Sequence, residues 1–217
     1  MNEKNCYFIR HGYATHNKLF WDIGKRAYSE FRDTNLLEEG FNQAKKLHDS
    51  WSSINDIDLI CVSPCRRTID TALFVFKDHK ANMIAKDFLI EYPIGGFEKC
   101  NQRKNIEDLK YLYPMIDFTS IKNNILKWSD EDETHEQLNN RIQEMICWIG
   151  NRPEKNIAIV SHSSFIGMLK DKKIGDEKNE LKHCHPYNIK FYYDENNNFL
   201  FLINEKNVNK LKSFKNM

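Results

Sequence analysis

Glycine and proline are scarce, at 8 and 5 of 217 residues. That excludes a collagen-like chain or a Pro/Gly-rich disordered one. No apolar run approaches the roughly 20 residues that a membrane-crossing helix requires. The opening MNEKNCYFIR is polar before a short apolar stretch, so no signal peptide is expected. Charge of one sign is missing too: 32 Lys and Arg face 31 Asp and Glu, for a net charge of +1. A dedicated nucleic-acid binder usually carries a basic excess, so any attraction for an anion must come from a local cluster. The six cysteines, Cys6, Cys61, Cys65, Cys100, Cys147 and Cys184, form no CxxC pair. They resemble neither a zinc site nor a disulfide framework and are expected to be reduced and mostly buried. The expectation is a cytoplasmic protein with no membrane and no nucleic-acid partner.

Hydrophobic residues make up 41% of the chain, enough for a sizeable core, and the length suits one domain over 1–217. Three compact apolar runs read as strands covered on both faces: CYFI, IDLICVS and NIAIVS. Between them lie helical spacings. Leu36, Leu37, Phe41, Ala44, Leu47 and Trp51 share one face, and Leu138, Ile142, Met145, Ile146 and Ile149 another, with Gly150 as its stop. In SPCRRTIDTALFVF, Ser63 reads as the N-cap and Pro64 as the first helical residue. IEDLKYLYP reads as a short helix, and IKFYYDENNNFLFLI as a hairpin on a sheet edge. Alternating strands and helices predict an α/β fold: a three-layer α/β/α sandwich with a mostly parallel sheet and an antiparallel edge strand. Two irregular segments remain, 18–35 and 92–129. The second is expected as a cap-like insertion over the strand carboxyl ends. The aromatic residues Phe20, Trp21, Tyr28 and Phe97 in these segments are expected in the core. The basic tail from Asn204 is expected to be solvated.

Ligands of open parallel sheets bind outside the carboxyl ends of the strands. Three strand ends carry Arg10-His11-Gly12, Ser63-Pro64 with Arg66 and Arg67, and Ser161-His162-Ser163. Singly, each is an ordinary turn or helix start; together they would place two histidines and several arginines on one rim. Guanidinium forks suit phosphoryl oxygens. A neutral imidazole among such cations can attack phosphorus, and the same cations stabilise the charge of the transferring group. The leaving oxygen then needs a carboxylic acid nearby.

RHGYATHN, SPCRRTIDTA and IVSHSS resemble the motifs of the histidine phosphatase superfamily, also called the phosphoglycerate mutase-like family. EYPIGGFE is similar to its acid loop, and TNLLEEGFNQAKKL to a further stretch, in the family's order from Cys6 to about Leu169. The resemblance implies His11 as nucleophile and Arg10, Arg67 and His162 as the phosphate pocket. Asn17 would be a further polar contact and Glu91 the acid and later base. For Arg67 the competitor is Arg66; for Glu91 the rivals are Glu98 and Asp87. Asn17 reads equally as a turn residue. Gly12 is expected to allow close backbone approach to the phosphate.

The chain also departs from the pattern. Tyr13 stands where many mutases have Glu, Ser163 and Ser164 replace a common Gly pair, and Lys99 replaces a Gly. The mutases' basic insertion is not recognisable; only Arg103 and Lys104 stand near its place, and they read as a solvated loop. The resemblance therefore implies a metal-independent phosphomonoesterase without cofactor, acting on a phosphorylated small molecule. A phosphoglycerate mutase and a non-catalytic phospho-ligand-binding protein on the same fold are the alternatives. His183 and His185, beside Cys184, are expected as surface or strand-end residues rather than metal ligands. The oligomeric state is open.

Overall fold

The computed structural model describes residues 1–121, 130–170 and 181–204. Six strands form one sheet: β1 (Asn2–Arg10), β2 (Leu59–Val62), β3 (Asn82–Ala85), β4 (Asn156–Ser161), β5 (Pro186–Tyr193) and β6 (Phe199–Asn204), in the order β3-β2-β4-β1-β5-β6. β3, β2, β4 and β1 are mutually parallel; β5 and β6 are antiparallel to their neighbours. The expected three-layer α/β/α architecture is therefore present, and the Asn-rich hairpin β5–β6 occupies one edge. β3 was not expected: its NMIA is short, only part-buried and lies at the opposite edge, so it lacks the apolar run of a central strand.

Both faces of the sheet are dry because strand side chains alternate. Cys6, Phe8, Cys61, Ile159 and Ile189 point to one face, against α6 (His135–Gly150) and α7 (Ser163–Leu169). Ile9, Ile60, Val62 and Val160 point to the other, against α3 (Glu38–Ser50), α4 (Arg66–Val75) and α5 (Ile106–Leu112). Helix α6 starts with a capping box: Thr134 accepts from Gln137 N, and the Gln137 side chain accepts from Thr134 N.

Several expectations need correction. The segment read as irregular over 18–35 lies largely in two helices, α1 (Thr15–Ile23) and α2 (Arg26–Glu30). Phe20 and Tyr28 stack there with centroids 5.4 Å apart. Trp21 and Phe97 are not core: they are 78% and 55% exposed. His16 and Phe20, four apart, share the inner face of α1, and Trp21 falls one step beyond it. Helix α4 begins at Arg66 with Cys65 as its cap residue, not at Ser63-Pro64. Arg103 is not a solvated loop residue; it is 2% exposed and paired with Asp87 at 2.7 Å. The reading of 115–128 as loop and helix falls partly, and the solvated tail almost wholly, outside the described residues. Five of the cysteines are buried, Cys147 is exposed, and all are free thiols. Among the described residues no helix is long and apolar enough to cross a membrane.

The start of α4 is capped from a distance. Asp33, fully buried, accepts from Arg66 N at 2.9 Å and from Lys104 N at 3.0 Å. Its backbone sits at φ +44°, a left-handed conformation that Asp tolerates better than most residues. Asp33→Ala would leave both amides without this acceptor and is expected to cost about 1–3 kcal/mol. A urea unfolding curve indistinguishable from wild type would refute this.

Candidate active site

All four parallel strands end on one edge, and the polar motifs gather there. Arg10 closes β1 opposite Ser161 of β4, so His11 and His162 leave adjacent strands side by side. Their ring centroids are 5.2 Å apart. Arg67 reaches in from the first turn of α4 and joins them: its Nε donates to His11 Nε2 at 3.3 Å and its Nη2 to His162 Nδ1 at 3.1 Å. Arg10, His11, Arg67 and His162 are all at most 3% exposed. The structure thus brings these four together, and Arg67 rather than Arg66 is the arginine among them. The Arg66 guanidinium is engaged with Asp33 instead.

The hydrogen bonds fix the tautomers. His11 Nδ1 lies 2.8 Å from the Gly12 carbonyl, which only accepts, so the proton sits on Nδ1 and Nε2 carries the lone pair. His162 accepts at Nδ1 and donates from Nε2 to Ser63 Oγ at 2.8 Å. Burial first, and Arg67 second, hold both imidazoles well below the ordinary histidine range. Ser63, expected as a helix cap, instead orients His162.

Glu91 follows β3. Its Oε1 accepts from Tyr92 N and Phe165 N, and its Oε2 from Ser164 N, which ties it to the residues just after His162. Burial raises its pKa despite these bonds and Arg67. The segment is braced by Arg141 of α6, which donates to Phe88 O and Ile90 O and forks onto Glu133. Glu133 in turn accepts from Ile94 N at 3.1 Å. Glu98 also sits beside the site: burial first, then the Glu91 charge, push it up to about 7. Asp87 is committed to Arg103.

A family model described as the histidine phosphatase superfamily, branch 1, matches residues 6–196. The chain belongs to the histidine phosphatase superfamily. A phosphoglycerate mutase-like protein of Arabidopsis thaliana is 30% identical over 200 residues, covering 76% of this chain and 73% of its own. A probable phosphatase of Schizosaccharomyces pombe is 25% identical over 212 residues, covering 92% and 95%. Among solved structures, a putative alpha-ribazole-5'-P phosphatase from Escherichia coli superposes with a TM-score of 0.60 at 19% identity, covering 94% and 95%. That likeness supports the fold. Superfamily membership and the phosphatases among the relatives support phosphatase activity in general terms.

Two residues implied by the superfamily resemblance have local structural reasons to be where they are. Asn17 Oδ1 accepts from Ala14 N at 3.0 Å and so closes the first turn of α1, the turn role its sequence position also allowed. Gly12 has a packing reason within the protein: a Cβ there would lie 2.6 Å from Gly40 O of α3. Its amide donates to Thr71 Oγ1 at 3.0 Å. Three further residues at the site have no signal in the sequence. His16, 7% exposed, has its ring 5.6 Å from that of His11. His183, expected as a surface or strand-end residue, places Nδ1 2.6 Å from the His11 carbonyl, while His185 is exposed. Asn101, 1% exposed, accepts from Arg67 Nη2 at 3.0 Å. Nothing in local spacing marks these; only the tertiary fold brings them in.

Proposed function

We propose that this chain is a metal-independent phosphomonoester hydrolase that works through a phosphohistidine on His11, with Glu91 as acid and base. The observation that carries this reading is the His11 tautomer. With the proton on Nδ1, Nε2 presents its lone pair beside the Arg67 guanidinium. In the first step Nε2 bonds to phosphorus as the ester P–O bond breaks, and Glu91 gives its proton to the leaving oxygen. In the second, the Glu91 carboxylate takes a proton from water, whose oxygen displaces His11 from phosphorus and releases inorganic phosphate. Arg10, Arg67 and His162 supply donors and charge to the phosphoryl oxygens throughout. The burial of Arg103 in an ion pair with Asp87 argues for hydrolysis rather than mutase chemistry, since that guanidinium is not available to a second phosphate.

The test is release of inorganic phosphate from simple esters, set against isomerisation of 3-phosphoglycerate; isomerisation without phosphate release would overturn the reading. Glu91→Gln is expected to lower kcat/KM, which reports phosphoryl transfer to His11, by about 100-fold for alkyl phosphates and far less for aryl phosphates, which leave without a proton. That leaving-group signature in Glu98→Gln instead would move the acid to Glu98. The pH dependence follows from the directions of the shifts. His11 is lowered, so the nucleophile stays neutral as pH falls through 6.5 and its titration removes no activity there. Glu91 is raised, so its acid form survives above the usual carboxylate range and is lost as pH rises through its pKa. For alkyl phosphates kcat/KM should therefore fall on the alkaline side, and Glu91→Gln should flatten that limb.

A further inference from the structure

The loop after Glu91 does more than carry a carboxylate. GGFEKCN ends in a 3-10 turn, Lys99–Asn101, closed by Asn101 N donating to Glu98 O at 2.9 Å. Residues three apart eclipse in such a turn, so the Glu98 and Asn101 side chains meet. Glu98 Oε2 accepts from Asn101 Nδ2 at 2.9 Å, and Pro93 O accepts from the same nitrogen at 3.2 Å. The Pro93 carbonyl can only accept, so the amide faces it, and Glu98 beside it, with its nitrogen. Oδ1 is thereby turned toward Arg67 Nη2. Cys100 O takes Arg67 Nη1 at 2.7 Å from the same turn.

Every acceptor that holds this buried guanidinium is neutral: the Cys100 carbonyl, the Asn101 amide oxygen and the two imidazoles. Among the described residues no carboxylate is in ion-pair contact with Arg67. A carboxylate would fix the fork as firmly but would cancel the charge that a phosphoryl group needs.

Resting on the phosphatase reading above, we propose that Asn101 is a positioning residue for Arg67, aligned by Glu98, that holds the guanidinium without neutralising it. Asn and Asp have nearly the same shape, so the two possible roles separate cleanly. An aspartate would lose the bond to Glu98, so the comparison is decided where Glu98→Gln supplies a donor: if Asn101 only filled space and made a bond, Asn101→Asp there would be milder than Asn101→Ala. If it preserves charge, Asn101→Asp is the worse of the two.

The experiment measures 4-nitrophenyl phosphate turnover, competitive inhibition by orthovanadate, binding of inorganic phosphate by calorimetry, and thermal unfolding. Asn101→Ala is expected to raise KM and the vanadate inhibition constant by about tenfold, and Asn101→Asp by about 100-fold, each with a smaller change in kcat. The double exchange Glu98→Gln with Asn101→Asp restores a donor–acceptor pair between the two side chains. It should keep the anion-binding defect while recovering stability lost in the single variant, so it decides the matter should Asn101→Asp fail to fold. Anion affinity in Asn101→Asp, or in the double exchange, equal to or better than in Asn101→Ala would overturn the proposal. Wild-type binding of phosphate without turnover of any ester would sink the hydrolase reading alone, and the anion affinities would still test Asn101. No anion binding by wild type would sink both.

Discussion

His11→Ala is expected to abolish phosphate release, by roughly 10,000-fold or more, while leaving the chain folded. The size of the effect follows from the proposed role: each neighbouring imidazole is held in hydrogen bonds of its own. The imidazoles beside it are engaged elsewhere, His162 by Arg67 and Ser63, His183 by the His11 carbonyl, and His16 by Thr34. The fold should tolerate the change. His11 is buried as a neutral ring, so its removal leaves no orphaned charge. Arg67 loses the acceptor of its Nε but keeps those of Nη1 and Nη2. A stability loss of about 1–3 kcal/mol is anticipated for that one unpaired donor. Wild-type samples quenched in alkaline detergent should contain a base-stable, acid-labile phosphoenzyme, and the variant none. Turnover near wild type in His11→Ala would refute the mechanism outright. A phosphoenzyme still formed in the variant would place the nucleophile elsewhere.

Gly12→Ala should have the largest effect on stability, about 3 kcal/mol, which for a chain of this size lowers the melting temperature by about 6–12 °C. The new Cβ would stand 2.6 Å from Gly40 O, 2.9 Å from Gly40 Cα and 3.0 Å from Gly40 C. All three are backbone atoms of α3, so no flexible side chain can swing aside. Either the helix withdraws from the sheet or the strand end carrying His11 shifts; activity should fall together with stability. Gly24→Ala is the comparison. It sits at φ +59° and ψ −142° with nothing within 4 Å of an added methyl group, so it carries a backbone penalty of about 1–3 kcal/mol but no clash. Equal melting temperatures for the two variants would show that the Gly12–Gly40 contact yields easily.

Much of the scaffold is legible in the sequence because its signals are local. NIAIVS is a strand from its first residue to its last, and the β5–β6 hairpin follows its Asn-rich turn. The motifs around His11, Arg67 and His162 can be placed on one rim because parallel strands share a carboxyl edge. What is not legible is decided by tertiary contacts. β3 is too short and too polar to announce itself at the sheet edge. The cap of α4 is Asp33, more than thirty residues upstream, so Ser63-Pro64 is a reasonable but mistaken start. Arg103 looks solvated because its partner Asp87 lies sixteen residues away. His16, His183 and Asn101 reach the site through helix, loop and turn geometry that no spacing rule encodes. The chemistry of each is clear only once its neighbours are known.

The position of β1 in the sheet also governs the order in which the molecule can assemble. Cys6 pairs across to Ile157 on one side and to Ile189 on the other. During synthesis β1 therefore has no partner until some 150 residues later, and its second edge waits for β5. Its apolar residues, and His11 at their end, stay without their final contacts through all of that interval. Loop closure over such separations makes for slow folding. The rim that carries His11 and His162 is complete only once β1 is enclosed between β4 and β5.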